Sequence, residues 1–184
     1  MATEIERKFL VIGDAWRDTT AGVRLCQGYL SKDPERAVRV RIAGEQAWLT
    51  IKGRGEHISR PEFEFEIPAN EARELMHLCL PGVIEKTRYR IDHAGHVWEV
   101  DEFHGDNEGL VMAEVELDHA DILPELPSWA GREVSDDARY FNSQLSIVPY
   151  RNFREPDESM LDHHAKSQAL GFFQSLPGLT GNKS

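Results

Sequence analysis

Apolar and charged positions alternate with a period of two over short stretches of this chain, the pattern of strands with one face apolar. The alternation predicts eight strands, at residues 3–11, 25–31, 36–43, 46–53, 60–67, 84–92, 95–103 and 110–118. Turn signals such as Gly53-Arg54-Gly55 and Asp92-His93-Ala94-Gly95 separate them and favour hairpins. Between the fifth and sixth strands the period changes. Asn70 can cap a helix, Glu71 suits its first turn, and Ala72, Leu75, Met76 and Cys79 recur at helical spacing, which predicts a helix over 70–80. Further helices are expected near 13–21, 119–130 and 136–146, the last starting after Ser135 with Phe141 and Leu145 as its apolar stripe. In the final 34 residues Leu161, Ala165, Gln168, Phe172 and Leu176 fall near one helical face, predicting one amphipathic helix over 157–175. The chain therefore divides into a strand-rich domain, 1–150, and a C-terminal tail, 151–184. The tail helix is expected to cover apolar surface of its own domain; the alternatives are docking on another subunit, as in a homodimer, and fraying at its end.

Because residues two apart share a face of a strand, the alternation also sorts the charges. Glu4, Glu6 and Lys8 lie on one face of the first strand, Arg39 and Arg41 on one face of the third, and Thr50 and Lys52 on one face of the fourth. Glu62, Glu64 and Glu66 follow, then Lys86, Arg88 and Arg90, then Glu99 and Asp101, then Glu114 and Glu116. One such strand is an ordinary solvated face. Seven of them, almost purely carboxylate, guanidinium and ammonium, point to an α+β protein built on an eight-stranded antiparallel closed β-barrel, with a charged lumen and helices covering the outside.

At 184 residues the chain suits one domain with a sizeable core. Its net charge of −11 disfavours nucleic acid and anionic membranes, and the whole excess lies in residues 1–150. No apolar run approaches a membrane span, and Glu4 and Glu6 stand where a signal peptide would be basic, so a soluble, cytoplasmic protein is expected. Cys26 and Cys79 have no partner at metal-ligand spacing and read as buried free thiols. The histidine pairs His93/His96 and His163/His164 lack convincing ligand spacing, and Gly53 with Gly55 is a hairpin turn, not a phosphate-binding loop.

An ion-pair network alone would be a poor reason to fill a barrel with charge, since burying each ion costs several kcal/mol. A polyanion with metal ions would use both signs. Lys8, Arg39, Arg41, Lys52, Lys86 and Arg88 could surround phosphates, while Glu4, Glu6, Glu114 and Glu116 need a counter-charge that an all-oxygen donor set would take as Mg²⁺ or Mn²⁺. Trp48 shares the charged face and could stack on an organic group, although packing near a barrel end is the commoner use of a tryptophan.

The run Glu4-Ile5-Glu6-Arg7-Lys8 resembles the Glu-x-Glu-x-Lys signature of the triphosphate tunnel metalloenzymes, the CYTH superfamily. Gln27-Gly28-Tyr29-Leu30, Arg39-Val40-Arg41, Leu49-Thr50-Ile51-Lys52, Glu62-Phe63-Glu64, Glu85-Lys86-Thr87-Arg88-Tyr89, Glu99-Val100-Asp101, Glu114-Val115-Glu116 and Tyr140-Phe141-Asn142 follow in the family's order. The resemblance is to small bacterial inorganic triphosphatases. It implies a tunnel that hydrolyses a linear triphosphate with divalent metal, with Glu4, Glu6, Asp101, Glu114 and Glu116 as the metal set. It implies phosphate contacts by Lys8, Arg39, Arg41, Lys52, Lys86 and Arg88, and a catalytic group of Glu4, Glu6, Lys8, Lys52, Glu114 and Glu116. Glu62 and Glu64 match a further acidic pair that would orient basic residues or water; Arg60, Arg90 and Arg139 are explained equally well as salt bridges near the tunnel mouth. The alternatives are a class IV-type adenylyl cyclase, a nucleotide or thiamine triphosphatase of the same superfamily, and a non-catalytic polyphosphate-binding module.

Overall fold

A computed structural model describes residues 3–17, 19–55 and 58–153; the expected tail helix and His163/His164 lie outside them. The alternating segments form strands β1 (Thr3–Val11), β2 (Val23–Ser31), β3 (Arg36–Ala43), β4 (Gln46–Gly53), β5 (Ser59–Glu66), β6 (Ile84–His93), β7 (His96–Phe103) and β8 (Val111–Glu116). The hairpins close tightly. In the β6–β7 turn Ala94 and Gly95 both take positive φ, 49° and 83°, matching the twist of the paired strands, and His93 faces His96.

All pairings are antiparallel in the order β5-β4-β3-β2-β6-β7-β8-β1, and β1 pairs again with β5, so the sheet closes into an eight-stranded barrel. β1 serves two neighbours along one edge: residues 3–5 meet β5, and beyond them Phe9 and Val11 meet a ninth short strand, β9 (Ala130–Glu133). That strand falls where the sequence suggested the end of a helix. Pro124 and Pro127 remove the amide donors a helix over 119–130 would need, and the segment instead runs irregularly into β9.

The outer wall is apolar, as expected, but helices cover little of it. Among the described residues one helix of more than one turn exists, α1 (Ala69–Leu78). It packs Ala72, Leu75 and Met76 on Val40, Leu49 and Ile42. Gly28 permits this approach, because a Cβ there would lie 2.8 Å from the Cys79 sulfur. Elsewhere loops do the covering: Trp16, from the turns that replace the expected helix at 13–21, and Trp129 bury a cluster of Phe9, Trp98, Val100 and Val115. The expected helix over 136–146 breaks into a 3₁₀ turn at Ala138–Tyr140, an extended Phe141 and one helical turn, α2 (Asn142–Leu145). Asp137 caps the first turn by accepting from the Arg139 amide, a short-range bond that competes with a continuous helix. Cys26 and Cys79 are free and half-buried rather than fully buried.

Candidate active site

Register converts the strand parity into one charged interior. Glu6 faces Glu116, Lys8 and Glu99 both face Glu114, Lys52 faces Glu62, Thr50 faces Glu64, Arg88 faces Asp101 and Glu4 faces Arg60. All eight barrel strands line a cavity of about 1010 Å³, with Phe141, Asn142 and Ser143 adding to its wall. Glu4, Glu6, Lys8, Arg39, Arg41, Lys52, Arg88, Glu114 and Glu116 line it as the sequence suggested. Lys86 and Asp101 do not: they share the inward face of β6 and β7 but are fully buried deeper along the barrel.

Three networks hold these side chains. In the first, Lys52 Nζ donates to both Glu4 oxygens at 2.7 and 2.8 Å and lies 3.2 Å from Glu62, while Arg60 donates from Nε to Glu4 at 2.7 Å and from Nη2 to Glu6 at 3.2 Å. Burial alone would raise the Glu4 pKa, but Lys52 and Arg60 hold it well below the usual carboxylate range. Burial and the nearby Glu4 push Glu62 up.

In the second, Glu64 accepts from Arg41 Nη2 at 3.1 Å through each oxygen, from Thr50 at 2.8 Å and from Arg39 at 3.5 Å. The Arg41 guanidinium also sits 5.0 Å from the centre of the Trp48 ring. The Nε groups of Arg39 and Arg41 and the whole Gln27 amide are buried without a hydrogen-bond partner among the described residues.

The third is the deepest. Asp101 takes Arg88 through Nε and Nη2 at 2.7 and 2.6 Å and Lys86 at 2.5 Å; Arg88 reaches Glu99 and, at 3.0 Å, Glu114. Lys8 joins Glu114 to Glu6, donating to each at 2.6 Å. Burial would lower the Lys8 pKa, yet its two carboxylates raise it; Lys86, buried and next to Arg88, is pushed down to about 8 despite Asp101.

Glu116 stands apart. Among the described residues it has no ion-pair partner, and burial together with the charges of Glu4, Glu6 and Glu99 raises its pKa. An uncompensated carboxylate beside Glu6 and Glu4, all oxygen donors, fits a hard divalent cation. Among the described residues no three such groups already converge as a metal site; Lys8, Lys52 and Arg60 hold the carboxylates to themselves.

Arg60, which the sequence left open between a site residue and a mouth salt bridge, is part of the interior, because β1 and β5 close the barrel at Glu4 and Arg60. Arg90 is mostly exposed and reaches Glu99 at 3.6 Å, whereas Arg139 pairs with Asp137. Gln27 was legible only as part of a motif, since its neighbours on the inner face of β2, Leu25 and Tyr29, carry no charge.

The CYTH domain model matches residues 2–145. An inorganic triphosphatase of Acetivibrio thermocellus is 49% identical over 156 residues, 84% of this chain and 100% of that protein. One of Nitrosomonas europaea is 36% identical over 149 residues, 79% of this chain and 97% of that protein. The solved structure of the inorganic triphosphatase NE1496 is 34% identical, with a TM-score of 0.57, covering 80% of this chain and 96% of that one. The chain belongs to the CYTH family.

Proposed function

We propose that this CYTH chain hydrolyses inorganic triphosphate to pyrophosphate and phosphate inside its barrel, as the names of its relatives suggest for them. The observation that carries the reading is the cavity wall, where guanidinium and ammonium groups from β1, β3, β4 and β6 face carboxylates from β1, β5 and β8 across one shared space. Lys8, Arg39, Arg41, Lys52 and Arg88 bind the phosphate oxygens. Each charge-assisted bond contributes roughly 1.5–3 kcal/mol, most usefully where charge develops on the transferred phosphoryl and the leaving pyrophosphate. Glu4, Glu6, Glu114 and Glu116 hold divalent metal, Mg²⁺ or Mn²⁺. When bound, such an ion neutralises phosphate charge and makes water more acidic. Asp101 and Lys86 act deeper in the barrel: Asp101 fixes the Arg88 fork toward the cavity, and Asp101 is withdrawn from the metal set because it is fully buried and does not line the cavity.

A nucleotide reading is disfavoured by Trp48, the sole aromatic platform suggested by the sequence, whose ring is engaged by Arg41. The same reading makes the protein cytoplasmic, with a small-molecule substrate rather than nucleic acid, and assigns residues 151–184 no part in the chemistry. Product analysis with tripolyphosphate, ATP and thiamine triphosphate, in Mg²⁺ or Mn²⁺, tests it. Tripolyphosphate should give pyrophosphate and phosphate at the highest kcat/KM; cyclic AMP from ATP as the main product, or a higher kcat/KM for thiamine triphosphate, overturns the substrate.

A further inference from the structure

Three cations compete for Glu4 and Glu6, and they are not equivalent. Lys8 is buried and Lys52 largely so, and each also touches a third carboxylate, Glu114 or Glu62. Arg60 touches only the pair itself, Nε on Glu4 and Nη2 on Glu6, so its planar fork spans both carboxylates from one side chain. It is also the most exposed of the three, its side chain 31% exposed against 6% for Lys8 and 11% for Lys52. It stands at the start of β5, where only residues 59–61 pair with β1.

We infer that Arg60 is the resident counter-cation of the Glu4–Glu6 pair, a positioning residue that keeps both carboxylates together in the barrel and is displaced toward solvent when a divalent cation takes its place. The inference rests on the reading of this wall as a metal site. It follows from competition: two like charges brought this close require a cation, one guanidinium supplies it, and a divalent ion must remove that guanidinium before using the same oxygens. Lys8 and Lys52 stay inside when their glutamates change partner and turn to phosphate; of the other carboxylates near Arg60, Glu62 is already held by Lys52 and Glu116 is taken by the same divalent ion.

Direct titration of the chelator-stripped, full-length protein with Mn²⁺, read by calorimetry without substrate, tests this. Arg60→Gln should bind Mn²⁺ about tenfold more tightly than wild type, the scale of one charge-assisted contact. Arg90→Gln, which removes a rim charge that does not touch Glu4 or Glu6, should change affinity less than twofold. Equal or weaker binding by Arg60→Gln, or an equal gain from Arg90→Gln, overturns the displacement. So does a raised KM for tripolyphosphate in Arg60→Gln with metal affinity unaltered, which would make Arg60 a phosphate ligand. A second readout needs no altered fold: the Arg60 Nε–H resonance, assigned by its absence in Arg60→Lys, should exchange slowly without metal and lose that protection on adding Mg²⁺. Retained protection in a protein saturated with Mg²⁺ rejects the proposal. Failure of the wild type to bind Mn²⁺ or Mg²⁺ at all, with no triphosphate turnover, would instead reject the metal-site reading beneath it.

Discussion

The two ends of the charged interior solve the same electrostatic problem differently. Around Asp101 the charges answer one another within the fold: Lys86 and Arg88 converge on a carboxylate with no exposure, and Arg88 goes on to Glu99 and Glu114. Around Glu116 they do not, because Glu4 and Glu6 are shared among three cations while Glu116 has none among the described residues. A cluster that closes its own ion pairs is a clamp. A cluster left with surplus negative charge is where a cation from outside is stabilised most. Both contain residues that sequence parity placed on one face, and only depth along the barrel separates their roles.

Breaking the clamp should have the largest effect. Asp101→Ala leaves two buried cations short of their shared carboxylate, a loss of about 3–5 kcal/mol for a broken buried pair. Thermal or urea unfolding should show it, with the melting temperature down by about 10 °C and unrestored by Mg²⁺. A variant that melts as wild type but loses metal binding would move Asp101 back into the metal set.

The alternation that reveals the barrel is robust because every strand has one wet and one apolar face, and a one-residue slip would exchange them. All eight barrel strands were legible for that reason, and α1 because the period changes to that of a helix at Ala72, Leu75 and Met76. The same signal is silent about β9, since Ala-Gly-Arg-Glu alternates nothing, and about the loops that bury Trp16 and Trp129 in place of helices. In the site, parity found every cavity-lining member of the predicted metal and phosphate sets. It could not tell Lys86 and Asp101 from Glu4 and Lys52, because face and depth are independent coordinates. It also undervalued Arg60, whose partners appear only when β1 returns to β5.

The cations of the cavity wall come next in size. Arg41→Ala and Lys52→Ala should each lower kcat/KM for tripolyphosphate by about 10- to 100-fold, from the loss of roughly 1.5–3 kcal/mol of charge-assisted bonding. Arg17→Ala, outside the barrel on Asp14 and Glu102, should change it less than twofold. Equal losses at Arg17 and Arg41 would erase the distinction between wall and surface on which the comparison depends.

The smallest expected effect sharpens the comparison most, because its sign is opposite at the two ends. Glu116 is exposed overall, but the partial burial of its carboxylate and the charges of Glu4, Glu6 and Glu99 raise its pKa, so its charged form is less favourable folded than unfolded. For such an acid the folded state holds its proton to higher pH than the unfolded chain does. Ionised Glu116 therefore costs stability above its folded pKa, and that cost fades as pH falls toward the ordinary glutamate value. Glu116→Gln removes the cost. In chelator at pH 7.5 the variant should melt above wild type, by roughly 1–2 °C because the group is well exposed and its field screened. As pH falls to 4.5 and below the difference should shrink and then close, because the folded wild type takes up the Glu116 proton before the unfolded chain does. Adding Mg²⁺ at pH 7.5 should reverse the order, as the wild type gains a ligand that the amide supplies poorly, and tripolyphosphate turnover should fall in the variant. Asp101→Ala, by contrast, should be less stable than wild type under every one of these conditions. A Glu116→Gln protein no more stable than wild type at pH 7.5 in chelator, or a gain that persists unchanged at pH 4.5, would mean that the carboxylate wall balances its own charge and that the two ends of the lumen do not differ in kind.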